Sequence, residues 1–170
     1  ALRQHVPRRP AALRLRAGVG QYTVTDTLHG QYTAAVDDFV VVRNDGVPAY
    51  NLAVVVDDHL QGVDQVVRGD DLLSSAPRQA YLATLLGAAV PEYAHVPLVL
   101  NREGKRLAKR DGAVTLAALA ETGVGPEKVR AVILAALGLP GAPLAEALAA
   151  FDPARLPREP WIHSPLTTDL

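Results

Sequence analysis

The chain has 170 residues, of which 49% are hydrophobic, and carries a formal net charge of −1 at pH 7. This length and composition allow one large or two small globular domains. The near-neutral charge excludes a global field that would attract nucleic acid or a membrane, so a polyanion would have to bind to a local basic patch. Cysteine is absent, which excludes disulfide bonds and cysteine-based zinc sites within these residues and fits a reducing cytoplasm.

Targeting signals and metal-ligand patterns are also missing from the sequence. No apolar run approaches the roughly 18 residues of a membrane-spanning helix, and the basic start is not followed by the apolar region of a signal peptide. The five histidines are scattered and show no metal-ligand spacing. We therefore expect a cytoplasmic protein with no membrane contact and no zinc site within this chain.

The first sixteen residues form a basic arm without any acidic residue. Its ionisable side chains are Arg3, His5, Arg8, Arg9, Arg14 and Arg16. Such a run is typical of a solvated arm, and an RNA contact is the alternative.

The first half of the chain shows strand and turn patterns followed by one helix. Residues 14–33 are rich in Thr, Val and Tyr and broken by glycines, which predicts short strands. Residues 39–43 and the following Asn-Asp-Gly predict a hairpin. Residues 50–61 are ambiguous, because three consecutive valines favour a strand whereas the apolar spacing favours a helix. We predict a helix that ends at Gly62.

The pattern from residue 63 to residue 100 alternates between strand and helix. A strand is predicted at 63–68, a helix capped by Ser75 and ending at Gly87 follows, and a buried strand is predicted at 96–100. This alternation predicts an α/β fold with part of a parallel sheet and crossover helices.

Beyond Gly112 the chain is rich in Ala and Leu and predicts helices, one of which begins at Pro126 and ends at Gly138. Its apolar stripe consists of Val129, Val132, Ile133, Ala136 and Leu137. The tail is proline-rich from Pro153 to Pro165.

Residues 101–112 form a basic loop directly after the predicted strand 96–100. Five cations fall within nine residues, and glycines stand at positions 104 and 112. Ligands of open α/β sheets bind beyond the carboxyl ends of strands, so a mobile cationic loop there suits a polyphosphate. The alternative is a solvated surface turn.

Three side chains from separate elements could meet at one anionic ligand. Tyr50 begins the predicted helix, Arg68 ends a predicted strand, and Lys109 lies in the basic loop. Arginine suits two-point recognition of a carboxylate, and lysine suits a phosphate. Tyr50 could instead be a core tyrosine, and Arg68 could pair with Asp70 or Asp71 at the surface. His95 is interpreted as structural.

The ordered segments 49–62, 66–73 and 106–110 resemble the second half of the catalytic domain of glutamyl-tRNA synthetases, which are class I aminoacyl-tRNA synthetases. The segment 106–110 stands where that class carries its KMSKS loop. The resemblance implies the second half of a Rossmann-like parallel sheet with a small α-helical C-terminal domain. It divides the chain into the end of an inserted acceptor-binding-like region (1–37), the half-sheet with its loop (38–112) and the helical domain (113–170).

Two details favour the short paralogues of these enzymes, the glutamyl-queuosine tRNA(Asp) synthetases. Only 58 residues follow the basic loop, too few for the anticodon-binding domain of the ordinary enzyme, and Val54 stands where ordinary enzymes usually carry Asn. The resemblance implies ATP-dependent activation of glutamate and its transfer to queuosine of tRNA(Asp). A fragment of an ordinary glutamyl-tRNA synthetase acting on tRNA(Glu), or a non-catalytic module that retains the fold, remain the alternatives.

The resemblance also implies roles for individual residues. Tyr50 and Arg68 would bind glutamate, and Lys109 would be the catalytic lysine of the ATP-binding loop. That loop comprises Arg106, Leu107, Ala108, Lys109 and Arg110. ATP with Mg²⁺ is the expected cofactor, and the full-length enzyme is expected to be a monomer.

The chain departs from the family pattern at two places. Ala108 replaces a serine that is frequent in the loop. The HIGH-type motif that class I enzymes use to bind ATP is missing, because neither His59 nor His95 has the required glycine context. We therefore expect this chain to be the C-terminal portion of the enzyme and to lack activation activity alone.

Overall fold

The computed structural model describes residues 10–107, 115–141, 143–164 and 166. The chain forms two compact units, the first comprising Ala1–Arg68 with Leu72–His95 and the second Gly69–Asp71 with Val96–Leu170. The strands are β1 (Leu13–Arg14), β2 (Gln21–Asp26), β3 (Gly30–Ala35), β4 (Val40–Val42), β5 (Gln65–Gly69), β6 (Glu92–Val96), β7 (Val99–Leu100) and β8 (Trp161–Ile162). The α-helices are α1 (Tyr50–Gln61), α2 (Ala76–Leu85), α3 (Leu116–Glu121), α4 (Pro126–Ala136) and α5 (Leu144–Ala150).

A four-stranded sheet in the order β3-β2-β6-β5 is the framework of the first unit. Strands β2 and β3 form an antiparallel hairpin, whereas β2 runs parallel to β6. Side chains along β2 alternate between the two faces of the sheet, so Val24 and Asp26 both point inward and are buried. The structure thus confirms an α/β fold with parallel strand pairing.

Helices α1 and α2 follow the sequence pattern closely. Helix α1 begins at Tyr50 and ends at Gly62, whose φ of 71° is the left-handed conformation that glycine adopts easily. Ser75 occupies the N-cap position of α2, but its side chain makes no capping hydrogen bond, because a 3₁₀ turn over Asp70–Ser75 leads directly into the helix. The predicted helix at 50–61 is confirmed. The predicted hairpin at 39–46 is present as β4, a turn in which the Gly46 N–H donates to the carbonyl of Arg43 at 2.9 Å, and an antiparallel bridge from Val42 to Pro48.

The core of the first unit lies between the helices and the strands that precede them. One buried cluster joins Val36 and Phe39 to Val55 of α1 and Leu82 of α2. A second cluster consists of Val24, Ala76, Ala80 and Tyr93. The first cluster thus packs α1 against α2, and the second packs α2 against the strands that carry Asp26 and Tyr93.

The predicted buried strand at 96–100 is wrong. The buried strand is β6, which ends at Val96, and the short strand β7 begins only at Val99. Pro97 lies between them and has no N–H to donate to a sheet ladder, so it interrupts the pairing. The basic loop therefore follows the two-residue strand β7. This strand is not buried, because Val99 is 38% exposed.

In its described residues, the second unit combines three α-helices with a parallel pair of strands, β7 and β8. Strand β8 lies in the proline-rich tail and was not predicted. Helix α4 begins at Pro126 as expected, but its buried residue is Leu134, outside the predicted stripe. Ile133 and Leu137 of that stripe instead line an open apolar cavity of about 320 Å³ with Trp161.

Candidate functional site

Tyr50 is the first residue of α1, and 57% of it is exposed. The alternative in which Tyr50 is a core tyrosine is therefore wrong. Its neighbour Asn51 points toward α2, where its Oδ1 atom accepts a hydrogen bond of 2.9 Å from Nε2 of Gln79. Tyr50, with its exposed phenol, and Asn51, which contacts the buried side of α2, thus lie in the same helical turn.

Arg68 is half-buried near the end of β5 and is held at three of its atoms. Its Nε donates to Nε2 of His95 at 3.0 Å, its Nη1 donates to Oε1 of Gln79 at 2.7 Å, and its Nη2 makes a longer contact of 3.4 Å to the carbonyl of Leu72. The guanidinium also lies over the Tyr93 ring, 5.6 Å from its centroid. These contacts fix the orientation of the guanidinium plane.

The direct partners of Arg68 are all neutral. Among the described residues no carboxylate forms an ion pair with it, so the alternative pairing with Asp70 or Asp71 is not observed. Each Nη atom carries two N–H groups, and one on each has no acceptor in the described part of the chain. A half-buried guanidinium with free N–H groups on both Nη atoms is suited to a carboxylate.

Behind Arg68 lies a fully buried pair, Asp26 and His95, of which 2% and 0% are exposed. Oδ2 of Asp26 is 2.6 Å from Nδ1 of His95 and also accepts from the His95 backbone N–H at 3.0 Å. Oδ1 accepts from the backbone N–H groups of Leu28 and His29, each at 2.9 Å. Every oxygen of this buried carboxylate therefore has two donors.

These contacts decide the charge state of the pair. Burial acts to raise the pKa of Asp26, but the hydrogen bonds from His95 and from the backbone outweigh it, so the pKa lies below its ordinary value. Burial is the main cause that lowers the pKa of His95, opposed by the hydrogen bond to Asp26 and aided by the charge of Arg68. Burial likewise raises the pKa of Tyr93 to about 12. Near neutral pH the cluster thus holds an ionised Asp26, a neutral His95 and a neutral Tyr93.

The described part of the basic loop belongs to the second unit. Arg106 forms an ion pair with Asp71, and its backbone bridges to Leu100. Leu107 is 41% exposed, and its N–H donates to the carbonyl of Val99 at 3.3 Å. The remaining loop residues of the prediction, Ala108, Lys109 and Arg110, lie outside the described residues.

The structure brings one predicted residue, Arg68, into a cluster that the sequence did not reveal. The cluster adds Asp26, His95, Gln79 and Asn51. One signal was available, since Asp26 stands two residues after Val24 on the inward face of a predicted strand, where a charge requires partners. Its partner could not be found, because His95 is 69 residues away in the chain.

Residues 3–154 match the model of the family described as tRNA synthetases class I (E and Q), catalytic domain. The chain belongs to this family. A protein of Nocardia farcinica named glutamyl-Q tRNA(Asp) synthetase is 69% identical over 154 residues, which cover 91% of this chain and 50% of that protein. A more distant relative, glutamate–tRNA ligase 1 of Helicobacter hepaticus, is 42% identical over 121 residues, covering 69% of this chain and 26% of the ligase.

A solved structure supports the same fold for this class I synthetase chain. The glutamate–tRNA synthetase of Elizabethkingia anophelis superposes with a TM-score of 0.67 at 27% identity, covering 90% of this chain and 36% of that one. The chain therefore spans about half the length of its relative from Nocardia farcinica and about a third of this solved structure.

The described residues contain neither a cluster that could hold a metal ion nor a helix that could span a membrane. No group of three or more His, Asp or Glu side chains there is placed to hold a metal ion. None of the helices in this described part has the length and apolar composition that crossing a bilayer requires.

Proposed function

We propose that this chain is part of an enzyme that activates glutamate with ATP and transfers it to queuosine of tRNA(Asp). The observation that carries the proposal is the guanidinium of Arg68, which neutral partners fix and which keeps on each Nη atom one N–H without an acceptor among the described residues. The names and identities of the relatives support the choice of substrates, because the glutamyl-Q relative is much more similar than the glutamate–tRNA ligase.

In this proposal Arg68 binds a carboxylate of glutamate, and the exposed hydroxyl of Tyr50 contacts the same amino acid. The α-carboxylate of glutamate attacks the α-phosphate of ATP, a bond forms between them, and pyrophosphate leaves with the electron pair of the broken P–O bond. No protein nucleophile is required, so positioning and electrostatic stabilisation provide the catalysis. The queuosine hydroxyl then attacks the carbonyl carbon of the glutamyl adenylate, an ester bond forms, AMP leaves with the electron pair of the broken C–O bond, and the hydroxyl proton passes to the released AMP.

The basic loop is proposed to bind ATP. Lys109 is assigned to the phosphates as the catalytic lysine, with Arg106, Leu107, Ala108 and Arg110 forming the rest of the loop. Mg²⁺ would accompany ATP, but the described residues offer no cluster that fits a metal ion. We also propose that the chain divides after residues 37 and 112 into an acceptor-binding-like region, a catalytic region and a helical region.

The test is glutamate-dependent ATP–pyrophosphate exchange by the protein at its full encoded length. Exchange without tRNA, followed by glutamylation of queuosine-containing tRNA(Asp) but not of tRNA(Asp) lacking queuosine, is the expected result. Exchange that requires tRNA(Glu) would favour an ordinary glutamyl-tRNA synthetase, and no exchange under any condition would favour a non-catalytic module.

Two substitutions test the residue roles within the same assay. Arg68→Gln should raise the KM for glutamate and leave the KM for ATP unchanged. Lys109→Met should lower kcat by about a hundredfold to a thousandfold, the loss typical of one transition-state donor. An Arg68→Gln protein with a normal KM for glutamate would show that this arginine does not bind the amino acid.

A further inference from the structure

We infer that Asp26 and His95 are positioning residues for Arg68: the Asp26 carboxylate holds His95 in the tautomer whose Nε2 accepts the Nε–H of Arg68. This contact sets the direction in which both Nη atoms face a bound carboxylate. The inference rests on the proposed function, in which Arg68 binds glutamate.

The hydrogen-bond directions follow from the chemistry of the three groups. An ionised carboxylate only accepts, so Nδ1 of His95, 2.6 Å from Oδ2 of Asp26, must carry the proton. In a neutral imidazole Nε2 is then the acceptor. Arginine only donates, and its Nε is 3.0 Å from this Nε2. The three residues thus form one directed chain of hydrogen bonds.

The opposite tautomer would break this chain. A proton on Nε2 would face the Nε–H of Arg68, and Nδ1 would present a lone pair to the Asp26 carboxylate. Both contacts would be repulsive, and burial of Asp26 and His95 leaves little room for water to relieve them. By fixing the tautomer of His95, the Asp26 carboxylate therefore determines whether Nε2 can accept from Arg68, although the carboxylate itself does not contact Arg68.

The second support of Arg68 is Gln79, which lies outside the hydrogen-bonded series Asp26–His95–Arg68. Gln79 accepts from Nη1 and donates to Asn51 on α1, so the guanidinium is fixed at Nε and at Nη1 from different elements. An arginine side chain has many rotamers, and ordering it before the substrate arrives removes part of the entropic cost of binding. The expected role of Asp26 and His95 is therefore to lower the KM for glutamate.

A matched pair of substitutions at His95 separates positioning from a general structural role. The amide of Gln reaches the place of Nε2, so His95→Gln keeps an acceptor for Arg68. The amide of Asn reaches only the place of Nδ1, so His95→Asn keeps the contact with Asp26 and loses the one with Arg68. Both variants put a neutral polar amide into the same buried position, and thermal unfolding verifies that each one folds.

The assay is glutamate-dependent ATP–pyrophosphate exchange by the protein at its full encoded length. His95→Asn and Asp26→Asn should raise the KM for glutamate by about tenfold to a hundredfold, the range for losing a hydrogen bond to a charged group. The kcat at saturating glutamate and the KM for ATP should stay near wild type, because the lost interaction is a binding one. His95→Gln should restore most of the affinity for glutamate.

The outcomes separate this inference from the proposed function. If Arg68→Gln raises the KM for glutamate but His95→Asn and His95→Gln behave alike, the inference is wrong and the proposed function stands. If Arg68→Gln leaves that KM unchanged, the role of Arg68 in the proposed function fails, and the inference fails with it.

A spectroscopic measurement needs no variant that could fail to fold. Long-range ¹H–¹⁵N NMR of the wild-type protein reports which imidazole nitrogen of His95 carries the proton. The Nδ1–H tautomer is expected at neutral pH, and an Nε2–H tautomer or a doubly protonated ring would overturn the inference.

Discussion

The carboxylate of Asp71 forms an ion pair with the guanidinium of Arg106, 35 residues later in the chain. The pair joins the short segment Gly69–Asp71 to the described part of the basic loop, and both belong to the second unit. Gly69 allows this arrangement, because a Cβ at that position would lie 2.7 Å from Oδ1 of Asp71.

This ion pair is expected to contribute little to stability. The side chain of Arg106 is 64% exposed and that of Asp71 is 31% exposed, and such surface pairs are typically worth about 0–1 kcal/mol. A double-mutant cycle of Asp71→Asn and Arg106→Gln, measured by urea unfolding, should therefore give a coupling free energy within that range. A coupling well above it would mean that the pair is a major support of the loop.

Gln79 should matter far more than its neighbour Arg78. Gln79 is 2% exposed and satisfies both Arg68 and Asn51, whereas Arg78 forms an exposed ion pair with Asp37. Gln79→Met removes both hydrogen bonds at similar volume and should lower the free energy of unfolding by about 1–3 kcal/mol. Arg78→Met is the matched control on the same helix and should cost at most about 1 kcal/mol. Equal losses in the two variants would contradict this assignment.

Helix α1 could be predicted to the residue because its signals are local. The apolar spacing from Leu52 to Leu60 and the glycine at position 62 lie within one short window, and both agree with the observed bounds. The end of β5 was similarly predicted within one residue, at Arg68 instead of Gly69. Where the signals for an element lie within one short stretch of sequence, the residue pattern is sufficient to predict where the element ends.

The buried strand β6 could not be predicted for the opposite reason. Its sequence begins with Glu92 and contains His95, so it has neither a clean alternation nor an apolar run. His95 is buried only because the carboxylate of Asp26 satisfies it from β2, and this partner is distant in sequence. The apolar run at 96–100 gives the stronger strand signal, although Pro97 excludes a continuous strand there. The positioning pair behind Arg68 was missed together with the strand.

The end of helix α1 offers a test of backbone conformation. Gly62 has φ of 71°, and a Cβ there would meet nothing within 4 Å, so any cost of a substitution comes from the backbone and not from a clash. Gly62→Ala should lower the free energy of unfolding by about 1 kcal/mol. Gly20→Ala is the control, since a Cβ there also meets nothing within 4 Å and Gly20 has no left-handed φ. A neutral Gly62→Ala would show that α1 does not need its left-handed end.

Acidification should destabilise the protein in two steps that the Asp26–His95 pair sets. The folded pKa of His95 lies below its ordinary 6.5, with Arg68, His29 and Asp26 as the charged or titratable neighbours. Only the unfolded chain therefore binds this proton just below pH 6.5, and stability falls with pH from there by up to about 1.4 kcal/mol per pH unit until the folded pKa is reached. The folded pKa of Asp26 lies below its ordinary 3.8, so its contribution is present above that value and is lost below it.

Urea unfolding of the wild type and of His95→Gln between pH 7 and pH 3 tests this sequence of events. Removing the imidazole should abolish the first loss, below pH 6.5, and retain the second, because Asp26 still accepts hydrogen bonds from the backbone N–H groups of Leu28 and His29. Identical pH dependence of the two proteins above pH 5 would mean that His95 protonates equally easily in the folded and unfolded chains. The buried imidazole would then not be the neutral acceptor that fixes Arg68.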